Sequence, residues 1–189
     1  NENWDLIGGF ADSNSDPTDP LDGLDTFFND REYFKHIELG WNASRETAFL
    51  NNVHLTLWHN DERVAAATPD GWGANVSFSK SVNERWIPFV RLGYAKDAGT
   101  LLERSLSTGF AYQTVPGGNQ LGVAYNFGVP NESTWGPDLD DQHTLEVFYR
   151  IQLWKEFAIT PDIQYIRDPA LNPEDDDLWV FGLRGRFAF

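Results

Sequence analysis

Arg91, Arg150, Arg184 and Arg186 sit at positions whose parity along the chain is shared by small or polar neighbours, and so do Glu38, Glu146 and Asp162. In an extended strand, alternate residues face opposite sides, so residues of one parity gather on one surface. The same parity collects His54, Trp58 and Phe148, with Asn52, Asn126, Gln152 and Gln164 beside them. Guanidinium groups offer forked donors, carboxylates and amides offer acceptors, and aromatic rings offer faces to stack on. That set suits a neutral, hydroxyl-rich solute with apolar C–H faces, such as a sugar. Each arginine has a simpler role open to it, pairing with a neighbouring acid to brace a wall, and Glu146 with Arg150 is the pair the spacing suggests. Trp154 lies at a strand end, where turn packing or an interfacial position is the plainer role.

Covalent chemistry is not indicated. Asp140, Asp141 and His143 cluster beside a loop, and His36 and His59 are scattered, but no nucleophile–base spacing appears. There is no GxSxG and no HExxH motif. The expectation is a lining or binding surface, not an enzyme, with no cofactor and no resident metal.

The elements that must position these residues are strands. "HTLEVFYRIQLW" (143–154), "QLGVAYNFGV" (120–129), "ERSLSTGFAYQT" (103–114) and "GWGANVSFSKSV" (71–82) alternate apolar with small or polar residues. Less regular strands are expected near 3–10, 32–42, 49–60, 86–95, 157–167 and 177–189. The total is about ten, each of roughly 8–13 residues, which suits a tilted membrane strand better than the usual globular strand.

The opposite parity is apolar. The final stretch "DLWVFGLRGRFAF" places Trp179, Phe181, Leu183, Phe187 and Phe189 against Arg184 and Arg186. A soluble sandwich would bury that apolar face, whereas a membrane barrel would show it to lipid and turn the arginines into a wet lumen. The connections favour the barrel. "ASRET", "NER", "VPGGN" and "KE" are short, and they alternate with long acidic or Pro-rich links at 11–31, 61–70, 96–102, 130–141 and 168–176. Trp4, Trp41, Trp72, Trp86, Tyr94, Trp179 and Phe189 recur near strand ends, as interfacial girdles require. The alternatives are a soluble carbohydrate-binding β-sandwich or barrel, and a small plugged structural membrane barrel without transport. A barrel closed by these strands alone would enclose little space.

Composition narrows the partners. Lys and Arg number 14 against 29 Asp and Glu, for a net charge of -15, which excludes nucleic acid as a partner. Mean hydropathy is -0.46, and no apolar run reaches the ~18 residues of a transmembrane helix. Neither argues against a barrel, whose two faces average out. The chain has no Cys and no Met; the missing Met fits removal of a signal peptide or upstream segment. The acidic links at 12–30 and 172–177 lack the Gly and Glu of a calcium loop, so only diffuse divalent cation binding is expected there. "LDGLDTFFNDREYF" (21–34) is expected to form a short helix folded into the mouth. The triplets "NAS", "NVS" and "NES" match glycosylation sequons by pattern only.

Several stretches resemble the carbohydrate-selective porin family (OprB type): "LNNVHLTLWHND" (50–61), "PDGWGANVSFS" (69–79), "WIPFVRLGYA" (86–95) and, most specifically, "FYRIQLWKEFAITPDIQYIRDPALNPEDDDLWVFGLRGRFAF" (148–189). The resemblance covers most of 33–189, and the N-terminal thirty residues match weakly. It implies an all-β, antiparallel transmembrane barrel, with this chain as the C-terminal part of a sixteen-stranded porin. Residues 1–189 would form a single barrel domain or partial barrel, with 11–31 a long acidic extracellular loop. It further implies passive diffusion of monosaccharides across the bacterial outer membrane, among outer-membrane lipid and lipopolysaccharide. A second chain or a missing N-terminal segment would complete the barrel. Phe189 then resembles the terminal signal read by barrel-assembly machinery, with Trp179, Phe181 and Phe187 facing lipid.

Overall fold

The structure, a computed structural model, describes residues 3–14, 18–19, 21–114, 116–172 and 174–188. Ten strands follow one another: β1 (Trp4–Asp12), β2 (Tyr33–Asn42), β3 (Asn52–Asn60), β4 (Gly71–Ser79), β5 (Trp86–Asp97), β6 (Leu102–Gln113), β7 (Gln120–Pro130), β8 (Gln142–Trp154), β9 (Phe157–Arg167) and β10 (Asp177–Phe187). Each pairs antiparallel with its sequence neighbour, giving a single 10-stranded sheet in the order β1 to β10. β1 and β10 are its edges, so the strands do not close on one another as a ten-stranded barrel.

Through the middle of the strands the register carries one parity from β2 to β8. From Glu38 it passes through Thr56, Asn75, Gly93, Ser105, Gly128 and Gln142 without changing face. A one-residue slip in mid-strand would have turned apolar side chains to the polar side; the two shifts, at Leu102/Arg104 and Gln152/Trp154, fall at strand ends. The links at one rim are short. Between β4 and β5, Asn83 (φ 51) and Glu84 (φ 55) both take positive φ. Arg85 N–H donates to the Val82 carbonyl at 3.2 Å, the primed turn that suits the twist of a hairpin.

Among the described residues, no second layer covers the apolar face. Apart from Pro130 and Pro169, the buried apolar side chains among the described residues are the alanines Ala95, Ala98 and Ala158, and no large side chain is fully buried. Leu6 (69% exposed), Phe181 (74%) and Leu183 (76%) stand open on that face. A water-soluble domain must bury one face of its sheet against another layer. The soluble sandwich therefore has no counterpart here: the face has nothing but surroundings to pack against.

Aromatic clusters mark both ends of the apolar face. At the short-turn rim Trp86 lies 5.1 Å from Phe110 and 4.7 Å from Tyr112, and Phe157 bridges Trp154 (5.7 Å) and Phe187 (4.3 Å). At the long-link rim Trp72 meets Tyr94 at 5.3 Å, and Tyr165 meets Trp179 at 4.8 Å. Two aromatic rows flanking an apolar band fit the two interfaces of a bilayer. Phe189 lies outside the described residues.

Among the described residues, two helices occupy the long links. Helix α1 (Asp22–Asn29) carries Asp22 and Asp25 in its first turn, where acids complement the positive end of the helix dipole. The helix forms as expected, but not in the mouth. Phe27 stacks on Phe10 at 5.8 Å and meets Tyr33 at 5.1 Å, and both of these partners belong to the apolar parity. The Tyr33 hydroxyl donates to the Phe27 carbonyl at 2.8 Å, pinning the helix to the outer side of the rim. The Phe10, Phe27 and Tyr33 rings, in mutual contact, hold it there. Helix α2 (Glu132–Trp135) is a single turn capped by Asn131, whose side chain accepts from Ser133 N–H at 3.1 Å.

Candidate functional site: the polar face

The polar face works as a wall because glycines let larger side chains lie flat on it. A Cβ at Gly122 would collide with the ring of Phe148, one at Gly182 with the carboxylate of Asp162, and one at Gly73 with the indole of Trp58. Each of these glycines stands opposite the residue it accommodates: Gly122↔Phe148, Asp162↔Gly182 and Trp58↔Gly73. The larger side chain therefore leans sideways across the neighbouring strand instead of projecting.

Arginines project where these flattened groups leave room. Gln120, Glu146, Phe148, Arg150, Thr160, Asp162, Arg184 and Arg186 line one groove of about 270 Å³ across β7–β10. The sequence-derived set Arg150, Arg184, Arg186, Glu146, Asp162 and Phe148 is thus brought together. The expected brace between Glu146 and Arg150 is not formed. Four residues along one strand is about 13 Å of backbone, too long a reach for a compact pair. Arg150 instead donates from Nη2 to the Gly118 carbonyl at 3.1 Å, and its buried Nε has no partner. Arg184 and Arg186 have no ion pair among the described residues. Arg91 stands apart on β5, with its guanidinium 5.6 Å from the centre of the Phe89 ring.

Gln152 is taken by structure. The register shifts between Gln152 and Trp154, and the Gln152 amide donates to the carbonyls of Trp154 at 2.6 Å and Phe157 at 3.3 Å. It ties the β8–β9 turn, leaving no donor for a solute. Gln164 stays on the groove side of β9, opposite Glu146 and Val180. Asn126 braces the wall through Ser107 Oγ at 2.7 Å. Trp154 stacks on Phe157, in the girdle.

A second polar cluster lies on β1–β3. His54 Nδ1 is 2.9 Å from Glu38 Oε1, and Thr56 donates to Glu38 Oε2 at 2.7 Å. Asp5 joins them, its carboxylate lying over Gly40 and accepting from Asn42 Nδ2 at 2.8 Å. Beyond them Trp58 sits 5.9 Å from Phe34, which is itself 5.9 Å from His36. Asp5, His36 and Phe34 were not candidates from the sequence. Only the cross-strand register brings them into the cluster, and parity counted within one strand cannot supply that.

His143 is not part of any polar cluster. It turns to the apolar parity, where Nδ1 meets the Tyr125 hydroxyl at 2.7 Å and the ring lies 5.2 Å from Phe127. The neighbourhood with Asp140 and Asp141 in sequence therefore does not become a catalytic constellation. The acidic links do converge: Asp138, Asp140, Asp168, Asp175 and Asp176 line a small cleft of about 80 Å³ at the long-link rim. On the outer side of the same rim, Lys35 Nζ donates to Asp61 Oδ1 at 2.6 Å. That bond, with the Tyr33 N–H as a lesser contributor, holds the Asp61 carboxyl below its ordinary value of 3.8.

The fold has a counterpart in a solved structure, that of Pseudomonas putida OprB at high pH, with a TM-score of 0.72. That match has 13% identity and covers 100% of this chain and 56% of the other, so the chain spans little more than half the length of that relative. No curated protein matches the sequence. The sequence model for the carbohydrate-selective porin, OprB family, matches residues 1–189. An uncovered apolar face, two aromatic rows and a polar face with unpaired arginines are what such a wall requires, and the chain belongs to the carbohydrate-selective porin, OprB family.

Proposed function

We propose that this chain forms the sugar-conducting wall of an outer-membrane porin, through which monosaccharides diffuse passively. The observation that carries the reading is the β7–β10 groove, where Arg150, Arg184 and Arg186 line the same surface as Phe148 and Asp162. Guanidinium groups without carboxylate partners have donors free for hydroxyl oxygens, and Phe148 lying flat on Gly122 offers a ring face to sugar C–H groups. Gln164 and Glu146 extend the acceptor side, while Arg91, Glu38, His54 and Trp58 line the wall farther round. Selectivity in such a pore follows from lining charge, hydrogen-bonding groups and width, and no chemical step is needed.

In this reading Trp179, Phe181 and Phe187 face lipid and Phe189 serves as the assembly signal. Residues 1–189 act as one barrel unit whose wall is completed by strands outside this chain. The acidic links, with Asp138, Asp168 and Asp176 at one cleft, face the outside and hold divalent cations diffusely beside lipopolysaccharide.

The test is single-channel conductance of the full-length protein in a planar bilayer, with glucose and maltose titrated as blockers. An ion-conducting pore that glucose blocks, and that blocks more weakly in the Arg184→Gln, Arg186→Gln variant, is the expected result. A pore indifferent to both sugars would contradict the proposal.

A further inference from the structure

We propose that Asp5, Glu38 and His54 form a binding site for a divalent transition-metal cation of the zinc class on the polar face of β1–β3. One ligand atom from each of the three residues lies within 4.8 Å of the other two. The register explains how three strands deliver them to one point. Asp5 stands opposite Gly40 and Gly40 opposite His54, so Asp5 and His54 flank a position that has no side chain. A Cβ at Gly40 would collide with the Asp5 carboxylate, which occupies that gap. Glu38 sits two residues along β2 on the same face and closes the triangle.

The outer partners are those a metal site needs. Asn42 holds Asp5 Oδ1 at 2.8 Å, and Thr56 holds Glu38 Oε2 at 2.7 Å. Each carboxylate is thereby oriented by a neutral donor, leaving its other oxygen for the centre of the cluster, where Glu38 Oε1 meets His54 Nδ1. Such supporting hydrogen bonds fix ligand orientation in metal sites. No Lys or Arg pairs with Asp5 or Glu38 among the described residues, whereas Asp61 at the rim has Lys35. Two close carboxylates sharing one imidazole favour a cation between them. Two oxygens and one imidazole nitrogen, with positions left for water, suit zinc or its neighbours; calcium and magnesium prefer all-oxygen sets. On binding, a ring nitrogen of His54 gives its lone pair to the metal, and the neutral ring keeps its single proton on the other nitrogen.

The experiment is a calorimetric Zn²⁺ titration of metal-free, full-length protein in detergent. One saturable site is expected per chain, which Asp5→Asn and His54→Gln each weaken by about tenfold or more. His59→Gln should leave it unchanged, because that ring lies beside Asp61, 3.5 Å away, on the opposite face. Co²⁺ gives a second readout on the unaltered protein, through ligand-field bands that His54→Gln should shift. A titration without a saturable site, one identical in all three variants, or one in which equimolar Ca²⁺ displaces Zn²⁺ would overturn the assignment.

Discussion

The wall handles charge in opposite ways at its two ends. In β8–β10, among the described residues, Arg184 and Arg186 project without ion pairs, while Arg150 is tied to backbone. In β1–β3, Asp5 and Glu38 lie close to the sheet, each held by a neutral side chain and gathered around His54. An unpaired guanidinium keeps its donors for whatever passes, whereas a hydrogen-bonded acid has a fixed place and a fixed partner. The first arrangement suits transient contact with a mobile solute, and the second suits a site with defined geometry. Both rest on the same device, a glycine opposite a large or charged residue: Gly182 under Asp162 at one end and Gly40 under Asp5 at the other.

The comparison breaks most sharply at the arginines. Replacing Arg150, Arg184 and Arg186 together with Gln should weaken glucose block of the channel about tenfold or more, about 1.4 kcal/mol or above. Sugar titration of the bilayer current reads this, and block unchanged from the parent protein would show that these arginines do not contact the sugar. Next in size is Gly122→Leu, which drives a branched side chain into the Phe148 ring. Overpacking of this kind costs about 1–3 kcal/mol, visible as a lower urea midpoint in detergent. An unshifted midpoint would mean that Phe148 swings freely off the wall.

Glu38→Gln tests the other end. It turns one of the two carboxylate acceptors that serve His54 and Thr56 into an amide donor and removes the charge, and should cost about 1 kcal/mol of unfolding free energy. The smallest effect belongs to the rim pair Lys35–Asp61. Because the Asp61 carboxyl is held below its ordinary value of 3.8, its contribution is present above that pH and is lost as pH falls through the lower, folded value. The side chains are 48% and 26% exposed, so solvent screening keeps the contribution below about 0.5 kcal/mol. Asp61→Asn should flatten the acid limb of the stability profile by no more than that.

The strands and their two faces were legible in the sequence because alternation is a local property. Phe181 against Arg184 can be read from one strand alone, and so can the sorting of short and long links. What depends on a neighbour was not legible. Asp5 looks like an isolated acid near the start of the chain until the β1–β2 register sets it over Gly40. Glu146 and Arg150 share a face, but distance along the strand separates them, and Gly118 takes the arginine. Gln152 has the right parity, yet a register shift at the end of β8 turns its amide into the next turn. The amphipathic helix α1 was visible as a pattern, while its side of the rim was decided by Phe10 and Tyr33, which belong to different strands.

One parity is expected to face water and the other lipid along every strand. The chain has no Cys, so a single cysteine placed in it meets no background from the chain itself. Accessibility of Arg184→Cys and Leu183→Cys to a charged, membrane-impermeant thiol reagent in lipid vesicles tests the claim most directly. Rapid modification at 184, with a drop in channel current, and none at 183 is the expected result. Modification at 183 with protection at 184 would contradict it.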